Sequence, residues 1–238
     1  MNTACSRAES VLADICRGLA GDVYLAEVAR RLLEELDPFG EAINRTGTGK
    51  HFFANLQMIL QHELLLAVCR LYEPYSPRNP GRSCPAAAHH IATHITSLRI
   101  TEPERLKKFL RLSGSIQELS NPAADEELSS RFVQYLADLP KASSDSSRPL
   151  DQALTMLKTV RDKVVAHHER VDSSRLRVPG WTRLAELIDV AREVTEVLAE
   201  SYGEGGCYLK DDANRPAHSL VKLLQRVGLS APGEPHSV

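Results

Sequence analysis

Apolar residues recur at three- and four-residue steps along most of the chain, and no period-two alternation runs longer than a few residues. That is the signature of amphipathic helices rather than strands. A first helix is expected over 6–19, with Val11, Leu12, Ile15 and Leu19 on one side. Gly21-Asp22 should break it, and Asp22 should cap a second helix that runs to about 36 on Val28, Leu32, Leu33 and Leu36. Pro38, Gly40, Gly47 and Gly49 mark a loop. A long helix is predicted over 50–72, where Phe52, Phe53, Leu56, Ile59, Leu60, Leu64, Val68 and Leu71 keep helical spacing. A proline-rich loop follows, from Glu73 to Gly81.

Ser83 and Pro85 read as the cap and first turn of a helix reaching about 98. Glu102-Pro103 restarts the pattern through Leu106, Phe109 and Leu110, and another helix is expected over 123–139. Ser, Asp and Pro mark 139–149 as an exposed loop. Two strong helices come next, over 150–170 and 181–202, the second opening on Trp181, which is expected to anchor it in the core. A short amphipathic helix over 219–227 precedes a frayed tail. Together these elements predict an all-α protein, an antiparallel (up-and-down) helical bundle with short connections. Its expected organisation is an N-terminal helix over 1–20, a bundle over 21–205 and an extension over 206–238.

Composition narrows the classes. The chain has 238 residues, 42% hydrophobic and 25% charged, which suffices for a core without covalent or metal staples. Only 5% of residues are aromatic, so the core should be mainly Leu, Val, Ile and Ala. A net charge of −2 supplies no global attraction for nucleic acid; any such contact needs a local basic patch. The five cysteines are scattered, with no C-x-x-C pair, which points to reduced thiols and a cytoplasmic setting. No secretory leader is expected, since Glu9 and Asp14 interrupt the N-terminal segment. The longest purely apolar run, from Leu64 to Cys69, is too short to cross a bilayer.

The most informative segment is RDKVVAHHE, from Arg161 to Glu169, inside a helix with an apolar stripe. At 3.6 residues per turn Arg161 and His168 share a face, and His167 lies to one side of it. A second copy of the helix, related by a twofold axis, would bring two Arg and two His to one cleft. From spacing alone, a solvated helix face and an interior histidine account for the same residues.

The pattern R-x4-6-H, with a polar residue after the Arg and then A-H-x-[DE], resembles the signature of the HEPN superfamily, and in particular its AbiU-like abortive-infection branch. LQMILQHELLLAVCRLYEP, from Leu56 to Pro74, is similar to the helix of that branch that ends in a short R-L-[YF]-[DE] string. The resemblance spans about residues 20–205 and departs at His168, where the branch has a less distinctive residue. It implies a small up-and-down helical bundle, commonly a homodimer. It also implies either a metal-independent ribonuclease, needing no cofactor, or a non-catalytic module that binds RNA, a nucleotide or a partner protein such as an antitoxin. Arg161 and His167 would be the active pair, Asp162 the supporting polar residue, and His168 the competing choice of base. The residue types suit RNA cleavage: a histidine titrates nearest neutrality, and an arginine offers a permanent planar charge to a developing phosphorane. The expected product is a 2′,3′-cyclic phosphate.

Weaker signals remain. His90 and His94, with His89 beside them, have metal-ligand spacing but no third ligand in sequence. Thr46-Gly47-Thr48-Gly49-Lys50 lacks the first glycine and the final Ser/Thr of a phosphate loop, so a flexible turn is the better reading. Arg105, Lys107, Lys108 and Arg111 form a basic cluster diluted by Glu102 and Glu104, read as a solvated face.

Overall fold

The computed structural model describes residues 3–47, 49–78, 80–114, 125–143, 145–166, 177–203 and 209–229. The expected all-α class holds: among them there is no strand. The helices are α1 (Thr3–Leu36), α2 (Gly40–Thr46), α3 (Lys50–Leu71), α4 (Cys84–Thr93), α5 (Pro103–Leu112), α6 (Asp125–Ala137), α7 (Pro149–Val160), α8 (Trp181–Tyr202) and α9 (Leu209–Arg226). A single 3-10 turn, Asp37–Phe39, joins α1 to α2, and a π-helical turn, Arg161–Ala166, extends α7.

Several elements differ from expectation for local reasons. α1 is continuous through Gly21-Asp22. Leu12, Ile15, Leu19, Val23 and Ala26 are buried at three- and four-residue steps across the glycine, and that register outweighs its cost of about 1 kcal/mol. Asp22 accepts from Arg70 Nε at 2.7 Å instead of capping a helix. α4 stops at Thr93. The β-branched Ile95 and Thr96 disfavour another turn, and Ser97 Oγ donates to the His94 carbonyl at 3.1 Å. α9 begins ten residues earlier than predicted, because Ala213 and Ala217 extend the buried stripe of Leu220 and Leu224 back past Pro216. Trp181 is 43% exposed and does not anchor α8; Leu184, Leu187, Ile188 and Ala191 do.

The chain divides into two compact units: Met1–Val23 with Val68–Cys207, and Tyr24–Ala67 with Tyr208–Val238. In the first, α6 packs on α4 and α5, and α8 packs on α5 and α7. Its core contains an aromatic cluster: Phe109 meets Phe132 and Tyr135 edge-on, and Phe132 stacks at longer range on Tyr202. The second unit has its own core of Leu36, Phe39, Ala42, Ile43, Phe53, Leu220, Leu224 and Leu229. Within it, Arg30 donates to the fully buried Glu27 through Nε at 3.1 Å and through a terminal nitrogen at 2.7 Å.

Among the described helices, only α3 is long and apolar enough to cross a membrane by length and composition. Its best window has a mean hydropathy of 1.3 and is 39% buried. The sequence reading required an unbroken apolar run, whereas α3 reaches that average with Gln and His interspersed.

Candidate functional site

α7 starts where its sequence demands. Pro149 takes the first helical position and Arg148 is extended before it. Asp151, almost fully buried, fastens the preceding loop: its carboxylate accepts from the Lys141 N–H at 2.9 Å and from Ser146 Oγ at 2.6 Å. Burial alone would raise its pKa, but these bonds and the nearby Arg148 and Lys141 hold it below the usual value. Ala153, Leu154 and Leu157 turn the apolar side of α7 inward, and the helix packs on α8. Lys158 and Arg161 follow on the next turn.

Arg161 opens the π turn. Its Nε and one terminal nitrogen each lie 2.9 Å from Asp162 Oδ1, and the other terminal nitrogen lies 3.7 Å from Glu73 Oε1. The Arg161 side chain is 23% exposed, against 44% for Asp162 and 51% for Glu73. Burial opposes its charge, but the bond it donates to Asp162 and the fields of Cys69, Asp162 and Glu73 outweigh it and raise its pKa. The guanidinium is therefore a permanent cation. Glu73 comes from the string Arg70-Leu71-Tyr72-Glu73 at the end of α3. That string is pinned by Tyr72, whose buried hydroxyl donates to the Leu187 carbonyl of α8 at 2.6 Å, and by the Arg70–Asp22 pair.

The two segments that carry the family resemblance, far apart in sequence, thus meet at Arg161 and Glu73. Cys69, Tyr72, Glu73, Pro74, Leu154, Lys158 and Arg161 are among the residues that line a cavity of about 70 Å³. That is room for about two waters at ~30 Å³ each. Asp162 and Glu73 flank the guanidinium, so a phosphodiester there would compete with them for its donors. Cys69 is held inert there: burial pushes its thiol up to about 11, against the opposing pull of Arg161.

Of the residues singled out from sequence, Arg161 and Asp162 are brought together, while His167 and His168 lie outside the described residues. The π turn bears on the spacing argument, because 3.6 residues per turn no longer applies across 161–166. Glu73, Cys69 and Lys158 were not assigned to the site from sequence. The signal for Glu73 was an acidic residue placed directly between an apolar helix and a proline.

The other signals resolve locally. His90 Nε2 bonds the Ala8 carbonyl at 2.8 Å, and among the described residues no three His, Cys, Asp or Glu side chains are grouped to hold a metal. Gly47, at φ 70°, caps α2, and α3 starts at Lys50, which gives the turn that was expected there. Arg105 pairs with Glu200 and Lys107 with Glu104, and the Lys107 side chain is only 12% exposed, so the cluster is charge-paired but not solvated throughout as expected.

The family model for AbiU2, of the HEPN group, matches residues 26–221. No curated protein and no solved structure matches the chain.

Proposed function

The chain belongs to the AbiU2 family of HEPN proteins, a family of ribonuclease-like or abortive-infection modules, and from that premise we propose that it is a metal-independent endoribonuclease of a defence or toxin-like system. It acts in the cytoplasm as a homodimer, with RNA as substrate and an antitoxin or other regulatory protein as its partner. Arg161 and His167 carry the reaction in a groove lined by both copies. His167 takes the proton of a ribose 2′-hydroxyl, and the 2′-oxygen attacks the adjacent phosphorus. The bond from phosphorus to the 5′-oxygen breaks, and that oxygen leaves with a proton from His168 or water. The products are a 2′,3′-cyclic phosphate and a 5′-hydroxyl. Arg161 meets the charge that builds on the phosphorane, and a planar donor fork suits two of its oxygens at once. Asp162 orients the guanidinium and yields one of its bonds to the phosphate.

The observation that carries this reading is the convergence of Arg161 with the Arg70–Glu73 string, two family-like segments joined at one small cavity. The test is cleavage of RNA by purified protein in excess EDTA, beside Arg161→Ala, His167→Ala and His168→Ala. Loss of about 10²-fold or more in Arg161→Ala and His167→Ala, with cyclic-phosphate ends in the wild type, is the expected result. Cleavage unchanged in both variants would sink the proposal.

A second reading rests on one feature. Arg161 already has two carboxylate partners within the chain, and the cavity beside it is narrow. That arrangement suits a non-catalytic module that binds RNA, a nucleotide or a protein, and wild type that cleaves none of several RNAs would favour it.

A further inference from the structure

A second and larger cavity, about 410 Å³, lies between the N-terminal part of α1 and α4, within the first unit. Ligand pockets commonly run from about 300 to 1,000 Å³. The lining includes Arg82, His89, His90, His94 and Tyr75, with one carboxylate, Asp14, engaged by Arg17. Arg82 is the one permanent cation among these lining residues, and the ring nitrogens of His89 and His94 stand beside it as polar groups that can meet an anion.

Two further observations mark the cavity as built. Tyr75 and His89 are stacked, with ring centroids 3.8 Å apart and planes at 16°, so a flat aromatic pair stands on its wall. Arg82 is seated by a missing side chain: a Cβ on Gly18 would fall 2.2 to 2.8 Å from three carbons of the Arg82 stem. Only glycine at that point of α1 lets the stem lie across the helix. His90 is fixed in turn by its bond to the Ala8 carbonyl, and its ring lies 4.7 Å from that of His94.

The geometry points to a nucleotide site, in which Arg82 and the imidazoles take a phosphate and the Tyr75–His89 pair receives the base. A planar guanidinium suits phosphate, and stacking on paired rings tolerates any base. The nucleotide unit comes either free or as part of an RNA strand. Position bears on the choice: Tyr75 adjoins Pro74, which lines the Arg161 cavity, and adjacent Cα atoms are only about 3.8 Å apart. The two linings are thus joined through consecutive residues of one loop. The assignment does not depend on cleavage.

The experiment is calorimetric titration of the full chain with AMP, GMP, CMP and UMP, and with a 2′-O-methyl hexanucleotide that cannot be cut. Wild type is compared with Arg82→Gln, His89→Ala and Gly18→Ala, each checked for native circular dichroism. Saturable binding is expected, weakened about tenfold or more by the first two substitutions. Gly18→Ala should weaken it as well, although alanine favours the helix and touches no ligand, because it unseats Arg82. Saturation by mononucleotides assigns a free nucleotide, and saturation by the oligonucleotide alone assigns an RNA strand. No saturable binding of any probe, or binding indifferent to Arg82→Gln and His89→Ala, overturns the site. Because nothing is cleaved, either result stands apart from the nuclease test.

Discussion

Cys69 borders the Arg161 cavity, where a thiolate would be a nucleophile. Its surroundings decide otherwise. A thiolate there would have to form inside the protein, and the favourable charges of Arg161 and Arg70 do not offset the lost hydration. With its pKa raised to about 11, and that of the fully buried Cys84 to about 12, both remain thiols at pH 8. Iodoacetamide labelling at that pH, read by peptide mass spectrometry, should leave both unmodified in the native protein and modify both in urea. Native labelling of Cys69 at its denatured rate would contradict this account. Residue chemistry of this kind is only half legible in sequence. Arg161 and Asp162 are neighbours in the chain and could be paired on paper. Glu73 reaches Arg161 through the fold, and no local pattern announces such a contact.

At the scale of elements, legibility follows how local the deciding force is. α8 has the bounds its stripe predicts, and Ser83 caps α4 by accepting from the Ala86 N–H at 3.2 Å. Both depend on neighbours within a turn or two. The break expected at Gly21 does not occur, because burial of Val23 and Ala26 carries α1 through it. The π turn was equally hidden, since no residue type marks it. α7 matters most for the site, and Asp151 is its fastening. Asp151→Asn should cost about 1–3 kcal/mol near neutral pH, measured by urea denaturation. The sign follows from its depressed pKa: the carboxylate's contribution is present above the ordinary value of about 3.9 and is lost as pH falls through the lower folded value. The gap between variant and wild type should therefore narrow in acid, and a gap that widens there would refute the assignment.

Over the whole molecule, the low aromatic content led to the expectation of an aliphatic core, and most buried positions are indeed Leu, Ala, Val and Ile. One aromatic cluster stands apart from them. Phe132 is fully buried among Phe109, Tyr135 and Tyr202, from three helices of one unit. Phe132→Ala should cost about 3–5 kcal/mol, followed by the emission of Trp181, the sole tryptophan, which lies in the same unit. A loss under about 1 kcal/mol would mean the cluster is not central to that core. The second unit is built from two stretches of chain, and the first unit's longer stretch lies between them. That order has a consequence during synthesis. A ribosome makes Phe39, Ile43 and Phe53 well before Leu220, Leu224 and Leu229, which complete their cluster. At roughly 5–20 residues per second, the delay is on the order of ten seconds. For that interval the nascent chain displays sticky, half-finished surface, and its yield in the cell should depend on chaperones that shield it until translation catches up.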